Sequence, residues 1–371
     1  MKIIDVKLIP LRYPLKEPIR LAWGEMTHRQ FALIQIETDE GITGIGETSV
    51  NFPVWSIVER KATVEQGIKP LLLGEDPLCI ERLWEKMYRS LIRLGLLWGK
   101  GAIMQAISGA DIALWDIAGK ALGAPVFRLL GGLYQERIKL YATGFSLKEP
   151  AEGAARCIEQ GYRAVKLRIG FDPERDVENV RAVREAIGDD VQLMVDANMA
   201  WDRRLAIDMA ERLEEFNLYW LEEPVRCDDL EGMAAVAAAT KTPIAAGENA
   251  FGRRDFKALL TARAADIIMP DVTRSGGLTE CRKICSLASA WGISYSPHHY
   301  GSDVGFAASL HLLASTPGGL IMLRDVSPTL LREEVLLEPL KIEGGYAEVP
   351  QGPGLGVELN EEIISRFTFE L

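Results

Sequence analysis

Three carboxylates, Asp196, Glu222 and Glu248, recur at intervals of 26 residues, each near the end of a short β-rich run: "VQLMVDAN", "LYWLEEP" and "PIAAGEN". Six hard oxygens gathered at one point suit Mg²⁺, which keeps several waters and commonly bridges to a carboxylate of a small molecule. Upstream lies "AVKLRIG", in which Lys166 and Arg168 are two residues apart. On a strand those two side chains share one face, and Leu167 and Ile169 take the other. Downstream, "DIIMPDV" closes near Asp271 and "ISYSPHH" near His298. An aspartate accepting from one imidazole nitrogen fixes the tautomer and raises the basicity of the other, the arrangement of a general acid/base. Glu222 and Glu223 alternate in direction, so Glu222 is the expected ligand and Glu223 a supporting partner. His299, of opposite direction to His298, reads as structural, His311 as a helix residue and His28 as a loop residue.

These residues need a frame that brings several strand ends together. Eight β-rich runs, at 138–144, 163–170, 191–198, 218–224, 243–249, 266–272, 293–299 and 320–326, alternate with amphipathic stretches. Their spacing of roughly 25 residues is that of a βα unit, and active sites of such barrels form at the carboxyl ends of the strands. The expectation is an α/β fold, a (β/α)8-type barrel over 131–330. Residues 1–130 read differently, as a strand meander followed by helical periodicity, and predict an α+β domain. The Gly/Pro-rich segment 331–371 is expected to return and pack on that first domain. No Rossmann glycine fingerprint and no P-loop interrupts the pattern.

Composition excludes several function classes. The 371 residues carry a net charge of −11 with no cluster of Lys and Arg, which argues against nucleic acid or an anionic membrane as a partner. No apolar run approaches the roughly 18 residues that span a bilayer. The opening "MKIIDVKLIPLRYPL" lacks an apolar signal core and reads as a strand, so the expected compartment is the cytoplasm. Five scattered cysteines without a CxxC read as reduced and structural.

The ordered set "SGADIALWDIAGK", "LLGG", "VKLRIG", "VDAN", "WLEEP", "AAGEN", "MPDVTRSGG" and "SPHHYGS" resembles the mandelate racemase and muconate lactonizing enzyme family of the enolase superfamily, in its Asp-His dyad branch. The resemblance covers essentially the whole chain. It implies a modified (β/α)7β barrel under an α+β capping domain, Mg²⁺ held by Asp196, Glu222 and Glu248, and abstraction of the α-proton of a small carboxylate substrate through an enolate. It also implies lid loops around residues 15–28 and 47–56. Trp23, His28, Asn51 and Trp55, with Asn198 at the mouth, are the substrate-binding candidates. A homo-oligomer, dimer to octamer, is implied as well.

Two departures narrow the chemistry. Racemases of this family place a second lysine base where this chain has Arg168. Deprotonating a guanidinium at pH 7 costs at least roughly 7 kcal/mol, so Arg168 reads as a fixed cation. At strand eight, where the family often carries a glutamate, this chain has Leu323, with Arg324 and Asp325 as possible substitutes. Asp202 and Asp325 otherwise read as loop or rim charges. Lys166, Arg168, Asp271 and His298 are thus the catalytic candidates. The expected reaction is dehydration of an aldonate or aldarate to a 2-keto-3-deoxy acid. Epimerization or racemization, cycloisomerization, and a non-catalytic paralogue are the alternatives.

Overall fold

In the first strand Val6, Leu8 and Pro10 are buried while Lys7 and Ile9 stay half-exposed, the period-2 burial of a strand with one covered face. The computed structural model describes residues 1–21, 24–50 and 53–371. Strands β1 (Ile3–Leu21), β2 (Gly24–Thr38) and β3 (Thr43–Thr48) form an antiparallel sheet in that order. The helix Lys100–Ala121 packs across β3, buried almost all round from Ile103 to Gly119. Glycines set this contact. A Cβ at Gly44 or Gly46 would collide with the carbonyl oxygens of Ala113 or Gly109, so helix backbone lies directly on strand backbone. This explains the small-residue motif "SGADIALWDIAGK". Two buried aspartates in it tie distant segments together. Asp116 accepts from the amides of Ile45 (2.9 Å) and Leu355 (2.8 Å), and Asp111 accepts from the amide of Thr279 (2.9 Å).

Eight parallel strands follow: β4 (Arg137–Thr143), β5 (Ala164–Arg168), β6 (Gln192–Asp196), β7 (Trp220–Glu222), β8 (Ile244–Ala246), β9 (Ile267–Ile268), β10 (Ser294–Tyr295) and β11 (Met322–Asp325). Each of the first seven leads into a helix, and β11 leads only to the single turn Leu330–Glu334. Asp172, Asp202, Asp229 and Ser302 cap the helices after β5, β6, β7 and β10 by accepting an amide two or three residues on. Asp202 is therefore a cap, and Asp266 bridges back to the amide of Ile244 at 2.9 Å.

The ladders run β11-β4-β5-β6-β7-β8-β9-β10, and between β10 and β11 only the bridge Tyr295–Gly319 is formed. The expected closed barrel is thus an open parallel ladder whose ends meet at one bridge. β10 is two residues long and its partner begins at a Gly pair, which leaves too little regular backbone for a ladder. Beyond these, β12 (Ile342–Glu343) pairs with β13 (Tyr346–Glu348), and β13 adds antiparallel to the start of β4. The chain end then reaches the first domain, with Leu11 bridged to Thr368 and Arg12 stacked 3.9 Å from the Phe369 ring.

Inside the ladder, Tyr141, Ala164, Met194, Trp220, Ala245, Ile267, Met269, Ile321 and Leu323 form one apolar layer. Two residues further along their strands, on the same face, stand Lys166, Asp196, Glu222 and Asp325. A dry plug therefore underlies a charged mouth. Among the described residues, no helix is long and apolar enough to cross a membrane, and all five cysteines are free thiols.

Candidate active site

Register places the first three groups side by side, since Arg168 pairs with Asp196 and Asp196 with Glu222. Glu248 follows β8, beyond Gly247. Gly247 sits at φ +130°, where a Cβ would press to 2.8 Å of the Phe256 ring. One carboxylate oxygen each from Asp196, Glu222 and Glu248 lies within 4.8 Å of the others, and all three side chains are buried. Burial, reinforced by Asp196, pushes the Glu222 carboxyl up to about 7. Burial also works against the charged form of Glu248, but His298, Arg274 and Lys166 outweigh it and hold the group below the usual range. An all-oxygen, acidic, water-poor cluster of this size fits a small hard divalent cation.

The surrounding polar atoms hold these carboxylates in place. Trp220 Nε1 donates to Glu222 Oε2 (3.0 Å), and the amide of Asn198 donates to Asp196 Oδ1 (2.9 Å). Lys166 Nζ donates to Asp196 Oδ2 at 2.9 Å and to Glu222 Oε1. Its side chain is 3 % exposed, and although burial opposes the charge, Asp196 and Glu222 raise its pKa well above the ordinary lysine value. Lys166 is therefore a fixed ammonium beside two of the three carboxylates. Glu223 turns away at φ +38° and accepts from Asn249 (2.8 Å), while Arg274 reaches Glu248 (3.4 Å) and Asn249 (2.8 Å). Sequence reasoning missed Asn249 and Arg274; "GEN" and "VTRSGG" were their only signals.

His298 Nδ1 lies 2.7 Å from Asp271 Oδ2, and its Nε2 lies 3.1 Å from Glu248 Oε2. The other oxygen of Asp271 accepts both the amide and the hydroxyl of Thr273 at 2.7 Å. Burial disfavours a charged ring, yet Glu248 and Asp271 outweigh it and raise the His298 pKa. His299 instead bonds the carbonyl of Ser302 (2.9 Å), and burial lowers it to about 4. His311 accepts from the amide of Phe127 (3.2 Å) and reaches the carbonyl of Leu355 (3.0 Å), a purely structural position.

On the β11 side, Leu323 belongs to the apolar layer, and Asp325 is the residue at the mouth. Asp325 is no rim charge, because it is 4 % exposed and receives Arg29 of β2 at 2.8 Å. Arg332 adds an ion pair at 3.1 Å. Although burial opposes ionisation, Arg29 and Arg332 hold Asp325 well below the usual carboxylate range. Arg324 points elsewhere, to Asp303 and Glu333. Arg168 is half-buried and donates to Tyr300; burial works against its charge, but Tyr300, Asp196 and Asp325 hold its pKa above the ordinary arginine value. Of the lid candidates, His28 lies within β2 rather than in a loop, bonded to Thr27 and Gln30 at 3.1 Å, because the meander continues through it. Trp55 is 67 % exposed just before the helix Ser56–Ala62, and Trp23 and Asn51 lie outside the described residues.

A set of strand-end carboxylates beside an Asp-His pair, with a separate sheet-and-helix domain packed over it, is the arrangement of a candidate metal-assisted enzyme site. The family comparisons agree. Residues 3–131 match the mandelate racemase/muconate lactonizing enzyme N-terminal domain, and residues 149–363 match the enolase C-terminal domain-like model. The chain belongs to the mandelate racemase/muconate lactonizing enzyme family of the enolase superfamily, whose fold is a TIM barrel with an N-terminal capping domain. It is 35 % identical to the D-galactarolactone cycloisomerase of Agrobacterium fabrum, over 99 % of each chain. It is 34 % identical to the arabinonate dehydratase of Saccharolobus solfataricus, over 90 % of this chain and 89 % of that one. The crystal structure of the 3,6-anhydro-D-galactonate cycloisomerase from Zobellia galactanivorans is similar at a TM-score of 0.90 and 34 % identity, covering all of both chains. These relatives mark the chain as an enzyme, a lyase or an isomerase acting in the manner of its superfamily.

Proposed function

We propose that this protein is a Mg²⁺-dependent dehydratase of a sugar acid, an aldonate or aldarate, giving a 2-keto-3-deoxy acid. The observation that carries the reading is a mouth with the His298–Asp271 pair at 2.7 Å as its proton-transfer base and Arg168, a fixed cation, in place of a second lysine. Asp196, Glu222 and Glu248 are the residues for Mg²⁺, which supplies Lewis-acid polarisation of the substrate carboxylate. Asp271 fixes the ring so that Nε2, on the substrate side, takes the α-proton. The Lys166 ammonium offers a further positive charge beside the developing oxyanion. Arabinonate, D-xylonate and D-galactonate dehydratases stand among its relatives at 33–36 % identity.

A screen of aldonic and aldaric acids with Mg²⁺, read by keto-acid formation, tests the reading. Turnover of at least one acid with loss of water is expected; none across both classes overturns it. Cycloisomerization is the second reading, because two relatives that span the whole chain are cycloisomerases. Proton NMR in D₂O separates the two, since a cycloisomerase gives an isomer of its substrate without loss of water, whereas a dehydratase gives the distinct signals of a 3-deoxy acid.

A further inference from the structure

Tyr300 stands two residues beyond His298, half-exposed in "SPHHYGS". Guanidiniums from two domains address it. Arg29 of β2 places its Cζ 3.8 Å from the ring centroid, and Arg168 of β5 stacks at 5.4 Å and donates a hydrogen bond. The side chain therefore reaches from the end of β10 past β11 and β4 to β5, along the side of the mouth opposite the carboxylates of β6–β8. The turn that follows it is anchored by Glu47 of β3, which accepts from the amide (2.8 Å) and hydroxyl (2.7 Å) of Ser302 and the amide of Gly305 (2.9 Å). A Cβ at Gly301 would lie 2.6 Å from Glu47 Oε1 and 2.8 Å from the His299 ring, so the turn after Tyr300 is closely held.

Loss of water needs a proton for the departing oxygen. His298 is confined by Asp271 on one nitrogen and by Glu248, 3.1 Å from the other, so its ring is held beside the carboxylates of β6–β8. Two other hydroxyls on the β4–β5 side are engaged or sealed. Thr143 bonds the carbonyl of Lys166 (3.1 Å), and Tyr141 is wholly buried in the apolar layer.

We propose that Tyr300 is the catalytic proton donor to the leaving β-hydroxyl; the assignment rests on the dehydratase reading above. His298 receives the α-proton and the C–H electron pair enters the enolate. That pair forms the Cα=Cβ bond as the Cβ–O bond breaks, and the Tyr300 proton moves to the departing oxygen to give water. Arg168 donors and the Arg29 guanidinium over the ring meet the charge left on the phenolate oxygen. The proton on His298 returns to the tyrosinate through solvent and the enol becomes the keto acid, so the net change is loss of one water.

The test is Tyr300→Phe in the full-length enzyme with Mg²⁺ and an acid that the wild type dehydrates. Keto-acid formation and deuterium entry at the α-carbon of recovered substrate in D₂O are measured together. Dehydration is expected to fall by about 10²-fold or more, with α-exchange retained. Dehydration near the wild-type rate overturns the assignment, and so does a joint fall of exchange and dehydration, the signature of a residue that only shapes the loop. A wild-type enzyme that exchanges the α-proton yet never releases water overturns the dehydratase reading and this assignment together.

Discussion

The two sides of the mouth are built by different means. The β6–β8 side is carboxylate-rich and made wholly by the parallel ladder, with Asp196, Glu222 and Glu248 two residues past an apolar layer or a short strand. The β10–β11–β4–β5 side is guanidinium-rich and made jointly by two domains, where Arg29 and Glu47 of the capping sheet hold Asp325 and the turn after Tyr300. Regular backbone places the first side; contacts between domains place the second. The difference teaches where chemistry common to the superfamily and chemistry particular to this chain reside. Under the function proposed above, the ladder would place the metal and enolate chemistry, and the wall built by two domains would meet the rest of the substrate.

The largest break in this comparison comes from the carboxylate side. Asp196→Asn replaces a carboxylate of the proposed Mg²⁺ site, and catalysis should fall on the order of 10⁴-fold, since several kcal/mol of charge stabilisation go at about tenfold per 1.36 kcal/mol. In the wild type, Mg²⁺ at a hundredfold excess over its dissociation constant should stabilise folding by about 2.7 kcal/mol. Thermal melts with and without Mg²⁺ should show that shift in the wild type and little of it in the variant.

Next comes the base. His298→Asn should lower turnover on the order of 10³-fold and abolish α-proton exchange in D₂O, while the Mg²⁺-dependent thermal shift persists. Persistence of exchange in this variant would assign proton abstraction to another residue.

At Asp325 the guanidinium side should break through stability. Asp325→Asn leaves Arg29 and Arg332 buried without their anion, and loss of one partner of such a pair costs about 3–5 kcal/mol. Denaturant unfolding checks this, and a loss below about 1 kcal/mol would show the pair to be solvated. Because the folded pKa of Asp325 is depressed, its contribution is present above the unfolded value of 3.8 and is lost as pH falls below it.

The smallest effect is a pH slope of opposite sign at the same domain interface. Burial pushes Glu47 up to about 7 from 4.5, ahead of the opposing bonds from Ser302 and Gly305, with Asp271 adding to the rise. A carboxyl whose folded pKa is raised contributes fully below 4.5 and loses that contribution as pH rises through about 7. Unfolding free energies of the wild type and Glu47→Gln between pH 5 and pH 8 should show a shallower decline in the variant. Equal slopes would mean that the bonds from Ser302 and Gly305 keep Glu47 ionised throughout.

Much of this was legible in the chain itself. Spacing of 26 residues marked Asp196, Glu222 and Glu248, period-2 alternation put them on one face with Lys166, and "SPHH" and "MPDV" supplied the His298–Asp271 pair. All of these follow from local backbone geometry repeated along one ladder, which is why periodicity suffices to find them. Asp325 was misread as a rim charge and His28 as a loop residue because their settings depend on β2, 296 residues from Asp325 at the Arg29 contact. The single bridge between β10 and β11, the burial of Glu47 against Ser302, and the stacking of Tyr300 between Arg29 and Arg168 depend likewise on segments that meet only when two domains pack. Sequence alone determined which carboxylates and which Asp-His pair close the strands, since these groups sit at fixed offsets in repeating units. Tertiary structure decided the opposite wall, since burial and the pairing of distant charges are set by which surfaces exclude water together.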